Sequence, residues 1–264
     1  MTAPLLEMDA VSHVYSSGGL LAGRRVRAVD DVSFTVASDR PEVLAIIGES
    51  GSGKTTLARM ILNIVPPTEG SIRYRGVALR HGWRRRERLA FMQQVQPIFQ
   101  NPFEAFNPLK RLDRYLFMTA RWFAAGGPQQ QVDTALRQVG LSLAEVRRRY
   151  PHELSGGQLQ RIAIARALIS KPALIVADEP VSMVDASLRM SIVNLFSNLR
   201  DALNVSIIYI THDLATAYTI SDRIIIMRAG CVVEVGAARA VLDNPRHSYS
   251  QELKGAVLSI DAAG

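Results

Sequence analysis

Residues 48–55, GESGSGKT, have the residue types and the spacing of a phosphate-binding loop, G-x-x-x-x-G-K-[ST]. Glycines let the backbone curl around phosphate oxygens, and the helix that follows contributes free N–H groups and its positive end. Lys54 can neutralise the β- and γ-phosphates of a nucleotide, and Thr55 can bind Mg²⁺. Because the loop follows the apolar run Val43–Ile47 and opens a helical pattern, we predict a phosphate-binding strand–loop–helix unit.

Two adjacent carboxylates, Asp178 and Glu179, follow a second apolar run at residues 173–177. Asp178 is placed to hold the ligand shell of Mg²⁺, and Glu179 to orient and polarise an attacking water. An apolar run that ends in Asp-Glu is a weak signal alone, since charges often mark strand ends. With a phosphate loop upstream, it becomes a strong signal for a hydrolytic site.

His212 comes after a third apolar run, at residues 206–210. A lone histidine is more often a packed core or surface residue than a catalytic one. It becomes a candidate only if parallel strands place it beside the phosphate loop, because binding sites of open α/β sheets collect at the carboxyl ends of the strands.

A second turn with free backbone N–H groups occurs at residues 154–161, LSGGQLQR, where Ser-Gly-Gly runs into a helical pattern. Such a turn can offer N–H groups to an anion. Ser155 is also a good N-terminal cap residue, so this turn is a helix cap whatever else it does.

These residues must be positioned by a sheet and its helices. Apolar residues alternate before and after a Gly-rich interruption at residues 18–23, which predicts strands with one solvated face. Helical spacing replaces that alternation over residues 103–150, with Gly126, Gly127 and Pro128 separating two helices. The α/β rhythm then returns, with helices at 158–169, 187–203 and Leu214–Ile220, strands at 173–177 and 206–210, and a hairpin around residues 229–230. Buried strands that alternate with helices predict a mostly parallel sheet.

Composition narrows the class of protein. No apolar run approaches the roughly 20 residues that span a bilayer, and residues 1–7 lack a basic start with an apolar continuation, so we expect neither a membrane span nor a secretion signal. The one cysteine, Cys231, excludes an internal disulfide or a cysteine-built metal cluster, and fits a reducing cytosol. We expect it to be a packed or half-exposed side chain rather than a reactive thiol.

The net charge of +7 is densest at residues 84–88, RRRER. It raises the possibility of nucleic acid or an anionic membrane as a partner. No aromatic residue alternates with these arginines, as a stacking platform for single-stranded nucleic acid would require. We therefore predict a solvated helical face and expect no nucleic-acid partner.

Six segments in one order resemble the ATP-binding subunit of an ATP-binding-cassette (ABC) transporter, and the resemblance runs over about residues 5–253. The segments are GESGSGKTT, IFQNPFEAFNP, LSGGQLQR, ALIVADEP, VSMVD and ITHD. The resemblance implies a P-loop NTPase fold, α/β, with a mostly parallel core sheet, an N-terminal antiparallel β subdomain and a helical insertion. It places a nucleotide-binding core with the β subdomain at 1–100 and 160–240, a helical subdomain at 101–159, and a C-terminal extension at 241–264, all within one ABC domain.

The resemblance also assigns roles to residues, with ATP and Mg²⁺ as cofactors. Glu179 would be the catalytic base, His212 the switch histidine near the γ-phosphate, and Gln100 the glutamine that contacts Mg²⁺ and the water. Thr55, Gln100 and Asp178 would be the metal ligands. The residues expected to contact ATP are Tyr15 on the adenine, supported by Gly18 and Gly19, the loop residues Gly48, Ser50, Gly51, Ser52, Gly53, Lys54, Thr55 and Thr56, and Ser155, Gly156, Gly157, Gln158 and Asp185.

In this family the signature turn of one subunit closes over the ATP held by the phosphate loop of a second. The resemblance thus implies a second ATP-binding subunit, identical or homologous, and two transmembrane permease subunits that dock near Gln100 and the helical insertion. It places the chain peripherally at the cytoplasmic face of the cell membrane, as a translocase subunit.

The segments FQNPFEAFNP and NPRHSYSQELKGAVL are similar to ATPase subunits of the oligopeptide, dipeptide and nickel importer group, which take substrate from an extracytoplasmic solute-binding protein. VSMVD replaces the commoner Ser-Ala-Leu-Asp loop, and similar sequences occur among members that resemble oligosaccharide importers. Sugars and metal complexes therefore stay open as substrates beside peptides. An exporter or lipoprotein-release ATPase, a soluble ABC protein of DNA repair or translation, and a regulatory module without turnover are further alternatives, and intact Glu179 and His212 disfavour the last of these.

Overall fold

A computed structural model describes residues 3–17, 24–80, 82–123 and 127–261 of the chain. Its strands are β1 (Leu6–Ser17), β2 (Arg24–Val36), β3 (Val43–Ile47), β4 (Glu69–Tyr74), β5 (Val77–Ala78), β6 (Val95–Ile98), β7 (Leu174–Asp178), β8 (Ser206–Thr211), β9 (Arg223–Arg228) and β10 (Cys231–Ala237). Its α-helices are α1 (Lys54–Ile61), α2 (Arg85–Gln94), α3 (Leu112–Phe123), α4 (Pro128–Gln138), α5 (Leu143–Val146), α6 (Gly156–Leu168), α7 (Ala186–Leu203), α8 (Leu214–Ile220), α9 (Ala238–Asp243) and α10 (Ser248–Asp261). Short 3₁₀ helices lie at Pro102–Ala105 and Pro151–Glu153.

The chain divides into two units, one made of Met1–Trp83 with Ser206–Gly264 and the other of Arg84–Val205. In the first unit, β2, β1, β4 and β5 form an antiparallel sheet in that order. The alternating apolar residues bury one face of it, among them Leu6, Met8, Val29 and Phe34. This confirms the predicted alternation, while the Gly-rich interruption at 18–23 lies outside the described residues.

The second sheet of this unit positions the phosphate loop. β3 lies between β9 and β8 and is parallel to both, and β10 pairs antiparallel with β9. All residues of β3 and β8 are buried, as expected of strands covered on both faces. The helices α8, α9 and α10 cover one face, where Leu214, Val241 and Tyr249 pack with Ile47 of β3.

The second unit holds the parallel pair β6 and β7 and the helices from α2 to α7. The helical insertion predicted at 103–150 is confirmed as α3, α4 and α5 with the 3₁₀ turns. The predicted break between two helices is confirmed at Gly127, the N-cap residue of α4. Helix α4 itself begins at Pro128, because proline fits the first helical position, where no N–H partner is needed. Buried leucines on α3 and α4 fill the core of this unit.

Two features of the described residues concern a membrane or a nucleic acid as a partner. No helix in the described part of the chain is long and apolar enough to cross a bilayer. Arg84, Arg85, Arg86 and Arg88 are all exposed, as predicted for a solvated helical face. The structure nevertheless brings an aromatic ring to them, since the Arg85 guanidinium lies 5.5 Å from the ring centre of Trp122 on α3.

Cys231 begins β10 and is half-buried, with its Sγ 4.0 Å from a carboxylate oxygen of Asp30. This agrees with the expectation of a packed or half-exposed side chain.

Candidate functional site

Two positions of the loop at residues 48–55, Gly48 and Gly53, have room only for glycine. A side chain on Gly48 would overlap the carbonyl oxygen of Met227, and one on Gly53 would overlap that of Ala28. Gly53 also has a φ of 102°, in the left-handed region, directly before the first residue of α1. The glycines thus let the strand turn sharply into the helix while neighbouring backbone packs against the loop.

Lys54 extends into the loop and is only 5% exposed. Its Nζ donates to the carbonyl oxygens of Gly48 at 2.6 Å and Glu49 at 2.7 Å, and to Ser52 Oγ at 3.3 Å. These three acceptors hold the ammonium group at the mouth of helix α1, whose N-terminal N–H groups favour an anion. The loop therefore concentrates positive potential where the sequence predicts phosphate.

The hairpin between β9 and β10 supports this loop. Gly230 N donates to Ser52 O at 3.1 Å, and Asp30 N of β2 donates to Gly230 O at 2.9 Å. The sequence predicted the hairpin but not this role, because the contact joins residues far apart in the chain. Another support was also missed, since Glu49 N donates to the hydroxyl of Tyr249 at 3.0 Å.

His212 lies at the same edge of the sheet as the phosphate loop. The parallel register pairs Ile47 with Thr211, so Gly48 and His212 each follow the end of neighbouring strands. Asp213 caps α8 by accepting from Ala215 N at 2.9 Å, and His212, between the end of β8 and this cap, is exposed. Parallel strands therefore place His212 beside the phosphate loop, which is the condition under which it becomes a candidate functional residue.

Tyr15 is on β1 and is 38% exposed, with its ring in an edge contact with His13 at 4.5 Å between ring centres. His13 is buried, and its Nδ1 is 2.9 Å from the Pro66 carbonyl oxygen. A fixed, partly exposed aromatic ring can stack on a base. Gly18 and Gly19, which supported this assignment in the sequence, lie outside the described residues.

In the second unit, Gln100 and Glu179 are brought together. They follow the parallel neighbours β6 and β7, and Gln100 Nε2 donates to Glu179 Oε2 at 3.1 Å. Glu179 has a φ of 46°, a backbone conformation that is uncommon for residues other than glycine. Ser182 holds that conformation, because its N and its Oγ both donate to the Glu179 carbonyl oxygen, at 3.2 and 3.0 Å.

The residues of this unit have the donor atoms that fit Mg²⁺. Gln100 uses its amide nitrogen on Glu179, so its amide oxygen is the atom left to face a cation. The half-buried carboxylate of Asp178 precedes Glu179 at the end of β7, and hard oxygen donors of this kind are those that Mg²⁺ prefers. No group of three or more His, Cys, Asp or Glu residues able to hold a metal occurs among the described residues.

The signature turn caps helix α6. Ser155 Oγ accepts from Gln158 N at 3.2 Å, and Ser155 N donates to Gln158 Oε1 at 3.1 Å, which is a capping box. The helix consequently begins at Gly156, two residues before the predicted start, so both glycines belong to its first turn.

The glycines of the signature turn lie against the loop and helix that follow Glu179. An added Cβ on Gly156 would be 3.0 Å from Met183 O, and one on Gly157 would be 3.0 Å from Leu188 Cδ1. Asp185 is the N-cap residue of α7, with an exposed carboxylate and a carbonyl that accepts from Leu188 N at 2.9 Å. The signature turn and the Asp185 loop therefore form one packed surface.

Comparisons with known proteins show the family of the chain. The family described as "ABC transporter" matches residues 29–182. The oligopeptide transport ATP-binding protein AppF of Bacillus subtilis is 39% identical over 235 residues, which are 88% of this chain and 70% of that protein. The dipeptide transport ATP-binding protein DppF of Escherichia coli is 39% identical over 258 residues, 96% of this chain and 76% of that protein.

Solved structures show the same fold. The cassette MJ0796, solved as a dimer in a post-hydrolysis state with ADP and Pi, matches with a TM-score of 0.76 and 24% identity, over 89% of this chain and 99% of that one. The structure of cbiO1 from Clostridium perfringens matches with a TM-score of 0.79 and 24% identity, over 92% of each chain. The predicted α/β P-loop fold, with its mostly parallel core sheet, antiparallel β subdomain and helical insertion, is confirmed. The chain therefore belongs to the ABC transporter family, as one of its ATP-binding, ATP-hydrolysing proteins.

Proposed function

We propose that the chain hydrolyses ATP with Glu179 as the base and thereby drives peptide uptake, as the ATP-binding subunit of a multisubunit ABC importer. The observation that carries the catalytic part is the hydrogen bond between Gln100 and Glu179, which fixes a carboxylate beside an amide at the carboxyl ends of two strands. A carboxylate so oriented can accept a proton from water and direct its oxygen at a phosphorus atom.

The other site residues bind and orient the nucleotide. The N–H groups of Gly48 and of residues 50–56 surround the phosphates. Lys54 leaves the carbonyls that it now contacts and neutralises the β- and γ-phosphates. Tyr15 stacks on the adenine, and His212 donates to the γ-phosphate.

The residues that would hold Mg²⁺ are Thr55 through its hydroxyl, Gln100 through its amide oxygen and Asp178 through its carboxylate. Mg²⁺ bound there would neutralise charge on the β- and γ-phosphate oxygens. The Gln100–Glu179 hydrogen bond supports this set, because it directs the amide nitrogen away from a cation and leaves the oxygen to face it.

A second ATP-binding chain completes each site. Ser155 and Gly157, with Gly156, Gln158 and Asp185, contact the ATP held by the partner, and the α6 N–H groups compensate the γ-phosphate charge. Support comes from the exposure of Ser155 and from two exposed apolar residues beside this turn, Met183 and Leu188. The solved MJ0796 cassette is itself dimeric.

The coupled partners are two membrane permease subunits and, through them, an extracytoplasmic solute-binding protein, with this chain at the cytoplasmic face of the membrane. Peptides are the proposed substrate because relatives at 39–40% identity over most of the chain, including OppF of Escherichia coli, are named for oligopeptide or dipeptide transport. The alternatives from the sequence, oligosaccharide or nickel uptake and export, are not favoured by these relatives.

The Glu179→Gln variant tests the proposal. It should bind ATP like the wild type and lose nearly all steady-state hydrolysis, because the amide cannot take the proton while the phosphate cradle is intact. Glu252→Gln, at an exposed position of α10, is the control and should hydrolyse ATP normally. In cells lacking the chain, wild type and Glu252→Gln should restore uptake of labelled di- and oligopeptides, and Glu179→Gln should not. Wild-type turnover by Glu179→Gln would refute the catalytic assignment, and unchanged peptide uptake without the chain would refute the transport role.

A further inference from the structure

Tyr249 is a buried tyrosine near the end of the chain whose hydroxyl reaches the phosphate loop. It is 1% exposed and packs with Ile47 and Leu214 in the core beneath β3. Its hydroxyl oxygen accepts a hydrogen bond from Glu49 N at 3.0 Å, across 200 residues of sequence. Packing alone would be served by a phenylalanine, so the hydroxyl calls for its own explanation.

That hydrogen bond and Lys54 hold the same peptide group from opposite sides. The Glu49 N–H belongs to the peptide whose carbonyl oxygen is that of Gly48, and this oxygen accepts from Lys54 Nζ at 2.6 Å. In a planar trans peptide the N–H and the C=O point in opposite directions. Tyr249 therefore fixes the direction in which the Gly48 carbonyl faces the lysine.

The segment that carries Tyr249 is itself fastened to the sheet. The Glu234 carboxylate of β10 accepts from Arg246 N at 3.0 Å and from His247 N at 3.2 Å. Tyr249 N donates to His247 Nδ1 at 3.1 Å, and the Arg228 guanidinium lies 4.7 Å from the centre of the tyrosine ring. Burial raises the pKa of the Tyr249 hydroxyl, which keeps it protonated.

We propose that Tyr249 is a positioning residue for the phosphate loop and that the NPRHSY segment, residues 244–249, is part of the nucleotide-binding apparatus. When Lys54 leaves the Gly48 carbonyl for a phosphate, the Tyr249 hydroxyl remains as the restraint on the Gly48–Glu49 peptide. It keeps that peptide from rotating, so that the backbone turn at Gly48 is retained when the phosphate binds. The inference rests on the proposed binding of ATP phosphates by residues 48–55.

The test compares Tyr249→Phe with Tyr218→Phe in the full chain. Tyr218 is a matched control, because it also has an arginine over its ring, Arg239 at 6.0 Å, but is 42% exposed on α8. Tyr249→Phe should weaken Mg-ATP binding by roughly three- to tenfold, the size expected for one hydrogen bond, and leave kcat at saturating ATP within about twofold. Exchange of the Glu49 amide hydrogen should accelerate in Tyr249→Phe, and Tyr218→Phe should match the wild type in all three measurements.

Lys54→Ala separates the inference from the function on which it rests. If Lys54→Ala loses ATP binding and Tyr249→Phe binds ATP like the wild type, the positioning role is refuted and the phosphate loop stands. If both variants bind ATP normally, the loop itself is not the nucleotide site. Lower thermal stability of Tyr249→Phe with unchanged ATP affinity and Glu49 exchange would show a packing role only and overturn the inference. If Tyr249→Phe does not fold, Glu234→Ala loosens the same segment from β10 and should weaken ATP binding in the same direction, and unchanged affinity would again refute the role.

Discussion

Ser182 provides a direct test of whether the backbone conformation of Glu179 matters for hydrolysis. A left-handed conformation at a residue other than glycine costs about 1–3 kcal/mol, and Ser182 offsets that cost with hydrogen bonds from its N–H and its Oγ to the Glu179 carbonyl. In Ser182→Ala the N–H bond survives and the Oγ bond is lost. One neutral hydrogen bond contributes about 0.5–1.5 kcal/mol, so the ratio of the observed to the relaxed conformation should fall by roughly two- to tenfold.

The loss should appear in the chemical step. Glu179 in a relaxed backbone conformation would move its carboxylate from Gln100, now at 3.1 Å, and the water would be misaligned. We expect kcat for ATP hydrolysis to fall by about two- to tenfold with little change in ATP affinity, because Ser182 is not part of the phosphate loop. Steady-state hydrolysis and equilibrium nucleotide binding measure the two quantities separately.

Two variants make the measurement specific. Ser170→Ala removes a comparable hydrogen bond in the same unit, from Ser170 Oγ to Ala167 O at 2.9 Å, and should leave kcat unchanged. Ser182→Thr keeps a hydroxyl and should retain most activity. If Ser182→Ala hydrolyses ATP at the wild-type rate, or if Ser170→Ala loses as much activity, then the hydroxyl does not position Glu179 and the reasoning fails.

Two further predictions concern the signature helix. In a mixture of Lys54→Ala and Ser155→Arg chains, composite sites predict partial recovery of ATPase activity, because one of the two sites in a mixed dimer carries both lesions and the other carries neither; purified mixed dimers with no activity would count against a working homodimer. Gln160 on α6 is fully buried, and neither polar atom of its amide has a hydrogen-bond partner among the described residues. Gln160→Met, which is of similar volume and apolar, should raise the free energy of unfolding by about 1–2 kcal/mol in chemical denaturation, and a decrease would show that the amide is satisfied by a group such as a buried water.

The sequence was sufficient to predict a local structure when one short segment contains all the residues that form it. The phosphate loop needs glycines, one lysine and a following helix within eight positions, and the structure has each of them in place. The predicted helix boundaries were less exact, because the residue that caps a helix sets where the helix begins. The capping box of Ser155 starts α6 two residues before the predicted position, and α4 begins at Pro128, the last residue of the predicted break between two helices.

Contacts between distant segments could not be read from the sequence. Trp122 lies beside Arg85 because α3 packs near α2, whereas the sequence shows no aromatic residue among the arginines. His212 was an ambiguous histidine until the pairing of Ile47 with Thr211 placed it at the edge of the phosphate loop. The resemblance to ABC proteins implies a role for His212 near the γ-phosphate, and the strand register meets the geometric condition for that role.

By itself, the sequence determined which groups are available and which local backbone shapes are possible. It specified the glycines and Lys54 of the loop, and the carboxylate pair that ends β7. Only the tertiary structure decided that Gln100 donates a hydrogen bond to Glu179 and that Tyr249 holds the Gly48–Glu49 peptide, which Lys54 contacts. The reason is that a hydrogen bond needs its donor and acceptor atoms within about 3 Å of each other. Residues 79 or 200 positions apart in the chain come that close only when the sheets and their helices have packed.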